Sequence, residues 1–166
     1  MSEPTPPAGA DPAQASAPPQ PVFQIEKLYV KDLSLEVPNA PQVFMQAENP
    51  QLEIQVSNTA AQFTEGMFDV TVTVTVTARA GEKTVFLAEV AQAGIFSVRG
   101  VPVENLDPLL GIGCPTILYP YAREAISDLV TRAGFPVVVL APVSFEQIYM
   151  ERQQQAAAGP NAGLAN

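Results

Sequence analysis

The sequence predicts an α+β fold in which a four-stranded antiparallel sheet carries two helices on one face. Segments with the period of a β-strand come first along the chain, segments with the period of a helix follow, and the strands are joined by short links. The clearest strand is VTVTVTVTARA (70–80), in which valine and threonine alternate without a break. Because side chains at i and i+2 share a face, the valines predict a buried face and the threonines a polar outer face.

Four strands are predicted, and turn residues separate them. Apolar and polar residues alternate at the end of the first strand, and PNAP breaks it. The second strand places Leu52, Ile54 and Val56 on one face, and Gly81 centres a short turn between the third strand and the fourth. Consecutive strands with short links favour a meander, in which each strand pairs with the next. The predicted strands cover residues 22–37, 51–57, 67–79 and 84–98.

A first helix is predicted from CPTILYPYAREAISDLVTRAGF (114–135). Arg132, Gly134 and Pro136 mark its end, whereas Pro120 either kinks the helix or moves its start. The alanines on its apolar stripe let another backbone come close, which favours packing against the helix of a second subunit. Burial of the stripe inside its own subunit is the alternative. The stripe consists of Leu118, Tyr121, Ala122, Ala125, Ile126, Leu129 and Ala133.

An apolar connector and a second helix come next. The connector, FPVVVLAPV (135–143), is too apolar for an ordinary surface loop. Ser144 is the expected N-cap of the last helix, and Gln147 completes a capping box three residues later. One face of that helix carries Phe145, Ile148 and Tyr149.

The composition disfavours several classes of function. The chain has 17 acidic residues against 8 Lys and Arg, a net charge of -9, and it shows no cationic patch for a nucleic acid. It contains no histidine, which excludes the usual catalytic triads and zinc sites, and GIG (111–113) lacks the spacing of a dinucleotide motif. A single cysteine, Cys114, cannot form an internal disulfide. We therefore expect no enzymatic activity, no cofactor and no metal.

The two terminal segments are predicted to be tails, and the absence of a visible targeting signal or spanning helix predicts the cellular compartment. Residues 1–21 hold seven of the 17 prolines and are expected to be disordered, as the last residues, 153–166, are expected to be flexible. The folded domain is then 22–152. No secretory signal is visible, and no apolar stretch approaches the ~20 residues of a spanning helix. The expected place is the cytosol, with no insertion into a membrane.

Two surfaces of the predicted fold call for a partner. Residues 32–78 contain six acidic residues and no Lys or Arg, so that they form either a solvated acidic face or a docking surface for a basic partner. Two helices cover only one face of a sheet, and an uncovered edge strand invites pairing. A homo-oligomer would cover the open face of the sheet and pair its free edge.

Several stretches resemble the SecB family of protein-export chaperones. YVKDLSLEVPNAPQVF, FLAEVAQAGIF, CPTILYPYAREAISDLVTRAGFP and LAPVSFEQIYM occur in the order and at the spacing of that family, and the likeness spans about residues 22–155. The resemblance implies a cytosolic homotetramer, a dimer of dimers, without catalytic activity. Such a chaperone holds unfolded secretory precursor proteins without ATP and passes them to the SecA motor.

The resemblance also implies roles for particular residues. The contact with SecA falls on Asp32, Glu36, Leu87 and Glu89. A groove for unfolded protein falls on Leu52, Ile54, Val56, Phe135, Val137, Val139, Leu140, Ile148 and Tyr149, for which burial in an ordinary core is the alternative. The oligomer interface falls on Leu118, Tyr121, Ala122, Ala125, Ile126 and Leu129.

The chain departs from the family in its tails. The C-terminal AAAGPNAGLAN has no charged residue, whereas the tail of the family carries a charged signal for a zinc-bearing tail of SecA. The proline-rich N-terminal extension matches no feature of the family that would indicate its role. A scaffold that binds one folded partner through its acidic sheet is the alternative function. A small-ligand binder is less favoured, because no cluster of convergent polar residues is visible.

Overall fold

The computed structural model describes residues 20–45 and 49–158. The strands are β1 (Val22–Glu36), β2 (Gln51–Thr64), β3 (Met67–Ala80) and β4 (Lys83–Arg99), with a 3₁₀ turn (Gln42–Met45) between β1 and β2. The helices are α1 (Val103–Pro108), α2 (Cys114–Arg132) and α3 (Phe145–Ala158), and a π-helical segment (Leu109–Gly113) joins α1 to α2. The four strands and two main helices are confirmed, whereas α1 and the π segment were not predicted. Residues 153–158 of the predicted C-terminal tail continue α3, and the remainder of the two predicted tails lies largely on residues 1–19 and 159–166, outside the described residues.

The order of strands across the sheet is β1-β4-β3-β2, and every pair is antiparallel. The predicted meander is therefore wrong for β1, which pairs with β4 in a Greek-key arrangement. Burial explains this order, because β4 is buried along most of its length and needs a neighbour on each side. The more charged and exposed β1 is suited to an edge. The two strands that are consecutive at the start of the chain, β1 and β2, thus lie at opposite edges of the sheet.

The inward face of the sheet packs against α2. The four alternating valines of β3 are completely buried, and they share a hydrophobic core with Leu118 and Ile126 of α2. The helix lies over the two central strands, β3 and β4. The threonines of β3 alternate with these valines and lie on the opposite, outward face, as predicted.

The helical region begins earlier than predicted and runs through three prolines, Pro108, Pro115 and Pro120. Pro120 lies inside α2, which starts at Cys114, so that a later start is excluded. GIG belongs to the π segment, where a Cβ on Gly111 would come within 2.7 Å of the ring of Tyr149. The missing side chain therefore lets α3 approach closely. At the end of α2, Gly134 takes a positive φ of 90°, a conformation that suits glycine after a helix.

Hydrogen bonds attach the connector (135–143) to α2. Ser127 Oγ donates to the carbonyl of Val138 at 2.6 Å, and Tyr119 Oη donates to the carbonyl of Ala141 at 2.8 Å. These bonds fix a segment that lacks regular secondary structure. The backbone N–H of Gln147 donates to Ser144 Oγ at 3.3 Å, which confirms Ser144 as the N-cap of α3.

Candidate functional site

An open apolar groove of about 490 Å³ lies where β3 ends and β4 begins. Its walls come from the segment between β1 and β2, the start of β2 and the connector. Four separate parts of the chain meet there, because the strand order brings β2 and the connector to the same end of the sheet. Its apolar lining includes Phe44, Leu52, Phe86, Phe135 and Val137.

Three aromatic rings form the centre of this groove. The ring of Phe135 stacks on Phe44 with centroids 5.1 Å apart, and it meets Phe86 at 4.9 Å in a tilted arrangement. Phe44 is 50% exposed, whereas Phe86 belongs to the buried core. The rings therefore lead from the open surface into the core, and they offer wide apolar contact without hydrogen-bonding demands.

The inward face of β2 extends the groove as an apolar strip. Leu52 lies opposite Ala78 of β3, and Ile54 and Val56 follow opposite Val76 and Val74. Leu52 is 44% exposed although the facing residues of β3 are buried. The difference arises because β2 is an edge strand that α2 does not cover. The three side chains predicted on β2 thus share one partly open face.

Of the groove residues predicted on the connector, some are exposed at the surface and others are buried in the core. Val137 lines the groove and is 59% exposed, and Val139 is 75% exposed but does not line it. Leu140 is only 2% exposed and packs in the core. It therefore has no surface to offer to a bound chain, and the groove proposed below does not include it.

The predicted residues of α3 lie away from this groove. Tyr149 lines a separate cavity of about 350 Å³ together with Asn58 and Arg152, and Ile148 packs on the core. The hydroxyl of Tyr149 donates to Asp107, and this hydrogen bond raises the pKa of Tyr149. Arg152 donates to the backbone and side-chain oxygens of Asn58 at 3.1 and 3.0 Å, which ties α3 to β2.

Sequence reasoning missed Phe44 and Phe86. Phe44 lies just after PNAP, where the sequence predicts a break between strands, although an aromatic residue in a short link is a usable signal. Phe86 begins FLAEV, and the pattern there predicts only a strand residue. Its place beside Phe135 depends on the strand order, which the sequence pattern does not specify.

The outward face of the sheet brings together the four residues predicted to contact SecA. In the register of β1 with β4, Glu36 lies opposite Leu87, and Asp32 follows on the same face of β1. Glu89 lies two residues along from Leu87, opposite Thr75 of β3. Thr75 Oγ1 donates to Glu89 Oε2 at 2.8 Å. The threonines thus continue the acidic surface as a flat, uncharged one.

The carboxylates of this face differ in their partners. Asp69 accepts hydrogen bonds from Tyr29 Oη and Lys31 Nζ, both at 2.8 Å, and the bond to Asp69 raises the pKa of both donors. Within the described part of the chain, the ion pairs are Lys31–Asp69 and Arg132–Asp128. Asp32, Glu36 and Glu89 take part in neither ion pair, and they form a net negative patch. The patch lies closer than Asp69 to the end of the sheet where β4 begins.

The stripe predicted on α2 is split between core and surface. Leu118, Ala122 and Ile126 are completely buried in the hydrophobic core of their own chain, so that they have no surface for a second subunit. The interface predicted for these three residues is corrected accordingly. The residues of the stripe that keep exposed surface are Tyr121, Ala125, Leu129 and Ala133.

The described residues hold few groups with reactive chemistry. Across residues 20–45 and 49–158, no three His, Cys, Asp or Glu side chains are grouped to hold a metal ion. Burial raises the pKa of Cys114 to about 12, so that its thiol stays protonated. No helix in the same ranges is long and apolar enough to cross a membrane.

Comparison with known proteins identifies the family. Residues 16–156 match the family described as preprotein translocase subunit SecB. The protein-export protein SecB of Chromobacterium violaceum is 58% identical over 143 residues, which cover 86% of this chain and 95% of that protein. That of Methylobacillus flagellatus is 62% identical over 138 residues, covering 83% and 88%. This chain belongs to the SecB family.

Members of the SecB family are protein-export chaperones and not enzymes. A solved structure supports the fold: the SecB-like chaperone of Mycobacterium tuberculosis, in complex with a ChAD peptide from the HigA1 antitoxin, aligns with a TM-score of 0.60. It is 20% identical, and the alignment covers 73% of this chain and 90% of that one. The two proteins therefore share the SecB sheet and its two helices. At 20% sequence identity, this comparison supports the fold only.

Proposed function

We propose that this SecB chain holds unfolded precursor proteins in the cytosol without ATP and delivers them to SecA. The observation that carries the proposal is the open groove around Phe44, Phe135 and Leu52, which is lined by apolar side chains on four separate segments. An unfolded precursor exposes apolar side chains, and burial of apolar surface gives about 25 cal/mol per Å². Such a surface binds many sequences, because burial requires no particular pattern of hydrogen bonds.

The client contacts extend from the groove along the inward face of β2. Leu52, Ile54 and Val56 repeat every second residue, which matches the period of an extended client segment. Val137 closes the groove on the connector side, whereas Val139 is exposed outside the groove and takes no part in the proposed client contact. Ile148 and Tyr149 lie beyond the far end of this strip and take part only if a client spans the length of β2.

SecA docks on the opposite, outward face of the sheet. Asp32, Glu36 and Glu89 provide negative charge, and Leu87, beside Glu36 and Glu89, provides an apolar contact. Separation of the two surfaces lets one subunit hold a client and contact the motor together. Release then follows from competition at the motor and requires no nucleotide on this chain.

The assembly that we propose is a homotetramer, a dimer of dimers. Two features of the described chain support it: the surface that the exposed Tyr121 and the half-buried Ala125 and Leu129 keep on α2, and the open edge of β1. Ala125 allows close approach of a second helix, and β1 offers unpaired backbone groups along its outer edge. Exposed apolar residues along β1 fit burial at such a contact: Val22, Phe23, Ile25, Val30 and Leu33.

The experiment that tests the function compares several clients. The purified chain is added to three unrelated proteins as they refold from denaturant, and light scattering follows their aggregation. A chaperone suppresses aggregation of all three near equal molar amounts. A scaffold for one folded partner, the alternative that the acidic sheet face supports, leaves all three to aggregate, and this result would exclude client holding.

A further inference from the structure

We propose that Thr75 is a positioning residue, which holds the carboxylate of Glu89 in place for a basic group of the docking partner. The inference rests on the proposed docking of SecA on the outward face. Thr75 and Glu89 lie directly opposite each other on β3 and β4, and Thr75 Oγ1 donates to Glu89 Oε2 at 2.8 Å. Both side chains are half-buried among their strand neighbours.

The neighbours of this pair make the hydrogen bond specific to one threonine. Thr73 lies opposite Ala91 and Thr77 lies opposite Leu87, so that neither faces a carboxylate across the strand pair. On the next strand, Gln55 lies opposite Thr75, but its amide donates to Glu53 Oε1 at 3.1 Å. Thr77 lies opposite Glu53 of β2, the carboxylate that accepts from Gln55, so that Thr75 is the threonine of β3 that faces Glu89 in the register.

The physical effect is preorganisation of a charged acceptor. Glutamate has several rotatable bonds, and ordering such a side chain upon binding lowers the affinity. Threonine is stiff at χ1, so that its hydroxyl is a fixed donor, and a hydrogen bond to a carboxylate is stronger than one between neutral groups. Held on one oxygen, Glu89 presents its other oxygen to a cation with less loss of freedom.

The test uses the full chain and purified SecA, whose binding is titrated at low and high salt. Thr75→Val removes the hydroxyl and keeps the shape, and we expect the affinity to fall about fivefold, the typical cost of ordering one flexible side chain upon binding. Thr75→Ser should restore most of it, whereas Thr73→Val, the matched control on the same face, should leave the affinity unchanged. The salt dependence should persist in Thr75→Val because Glu89 keeps its charge, but it should decrease in Glu89→Gln.

A double substitution separates positioning from a direct contact or a structural role. In Glu89→Gln the added Thr75→Val should cost less than about twofold, because the two residues act together. A full fivefold loss in that background would overturn the inference and assign Thr75 a contact of its own. Unchanged affinity in Thr75→Val, with weaker binding in Glu89→Gln, would also overturn it. If Glu89→Gln itself leaves SecA binding intact, the proposed docking face fails first, and the inference fails with it.

Discussion

The rings of Phe44 and Phe135 stack with centroids 5.1 Å apart, although 90 positions separate them in the chain. This contact joins the link between β1 and β2 to the connector after α2, and it forms the open side of the apolar groove. The open side of the groove is thus formed by a 3₁₀ turn (Gln42–Met45) and by the irregular connector, which lie against the sheet. Such an arrangement suits a surface that accepts varied clients, because the scaffold stays fixed while the walls supply the contacts.

The exposed ring of this pair should contribute more to client binding than to folding. Phe44→Ala should lower the free energy of unfolding by about 1 kcal/mol, since half of the side chain is already exposed. It should weaken binding of an unfolded protein about fivefold, through lost aromatic contact. Met45→Ala, at a highly exposed neighbour outside the groove lining, is the control. Equal effects of both variants on client binding would remove Phe44 from the site.

The two sides of the α2 stripe should respond differently to a charge. Ala125→Glu places an unpaired carboxylate in the proposed subunit contact, so that smaller species should appear while the fold is retained. Ala122→Glu buries the same charge in the core and should unfold the chain. Light scattering measures the mass, and circular dichroism reports the fold. A folded Ala125→Glu variant with an unchanged tetramer would contradict the interface.

The thiol of Cys114 should be inert until the chain unfolds. Its pKa rises from 9.0 to about 12 because it is buried, so that a thiol reagent should react with it only in denaturant. Unfolding restores the ordinary pKa, and the unfolded thiol therefore loses its proton first as the pH rises. This group's contribution to the free energy of unfolding is constant below pH 9.0 and falls from there towards pH 12. Cys114→Ala should show a shallower fall over this window, and an identical slope would contradict the burial.

Reversal of charge on the outward face should weaken SecA binding and leave client binding intact. Glu36→Lys or Glu89→Lys should each lower the affinity and its salt dependence, because exposed charges are screened beyond about 10 Å at 0.1 M salt. Leu87→Arg should cost more than either, since it removes the apolar contact as well. Glu65→Lys, in the turn between β2 and β3, is the control. If Glu89→Lys spares SecA but abolishes client holding, the two surfaces have been exchanged.

The sequence pattern predicted those features that depend on local periodicity. Alternation placed Leu52 and Ile54 on one face of β2 and separated the valines of β3 from its threonines, because side-chain direction in a strand follows directly from position. The pairing of β1 with β4 was missed, since short links favour a meander, and burial of β4 determined the outcome. The groove was only partly predicted for the same reason: Phe44 and Phe86 reach Phe135 through the strand order.

Neighbouring residues in the connector and in α2 show that the sequence pattern does not predict how far each side chain is buried. Val139 and Leu140 are both apolar, yet one is exposed and the other buried, in a segment that hydrogen bonds from α2 hold at the carbonyls of Val138 and Ala141. Ala122 and Ala125 lie on one helical stripe, but Ala122 is completely buried in the core whereas Ala125 is only partly buried. Periodicity gives the direction of a side chain and not the extent of the surface that covers it.

The central claim, that the groove binds unfolded clients, is tested most directly by comparing two valines of the connector. The measurement is the dissociation constant of one denatured, labelled precursor protein from Val137→Asp and from Val139→Asp. Both valines are largely exposed, so that each variant should fold, and circular dichroism checks this. Val137 lines the groove and Val139 does not, so that Val137→Asp should weaken binding about tenfold by placing a charge against apolar client surface, while Val139→Asp should change it less than about twofold. Equal dissociation constants for Val137→Asp and the unaltered chain would contradict the account.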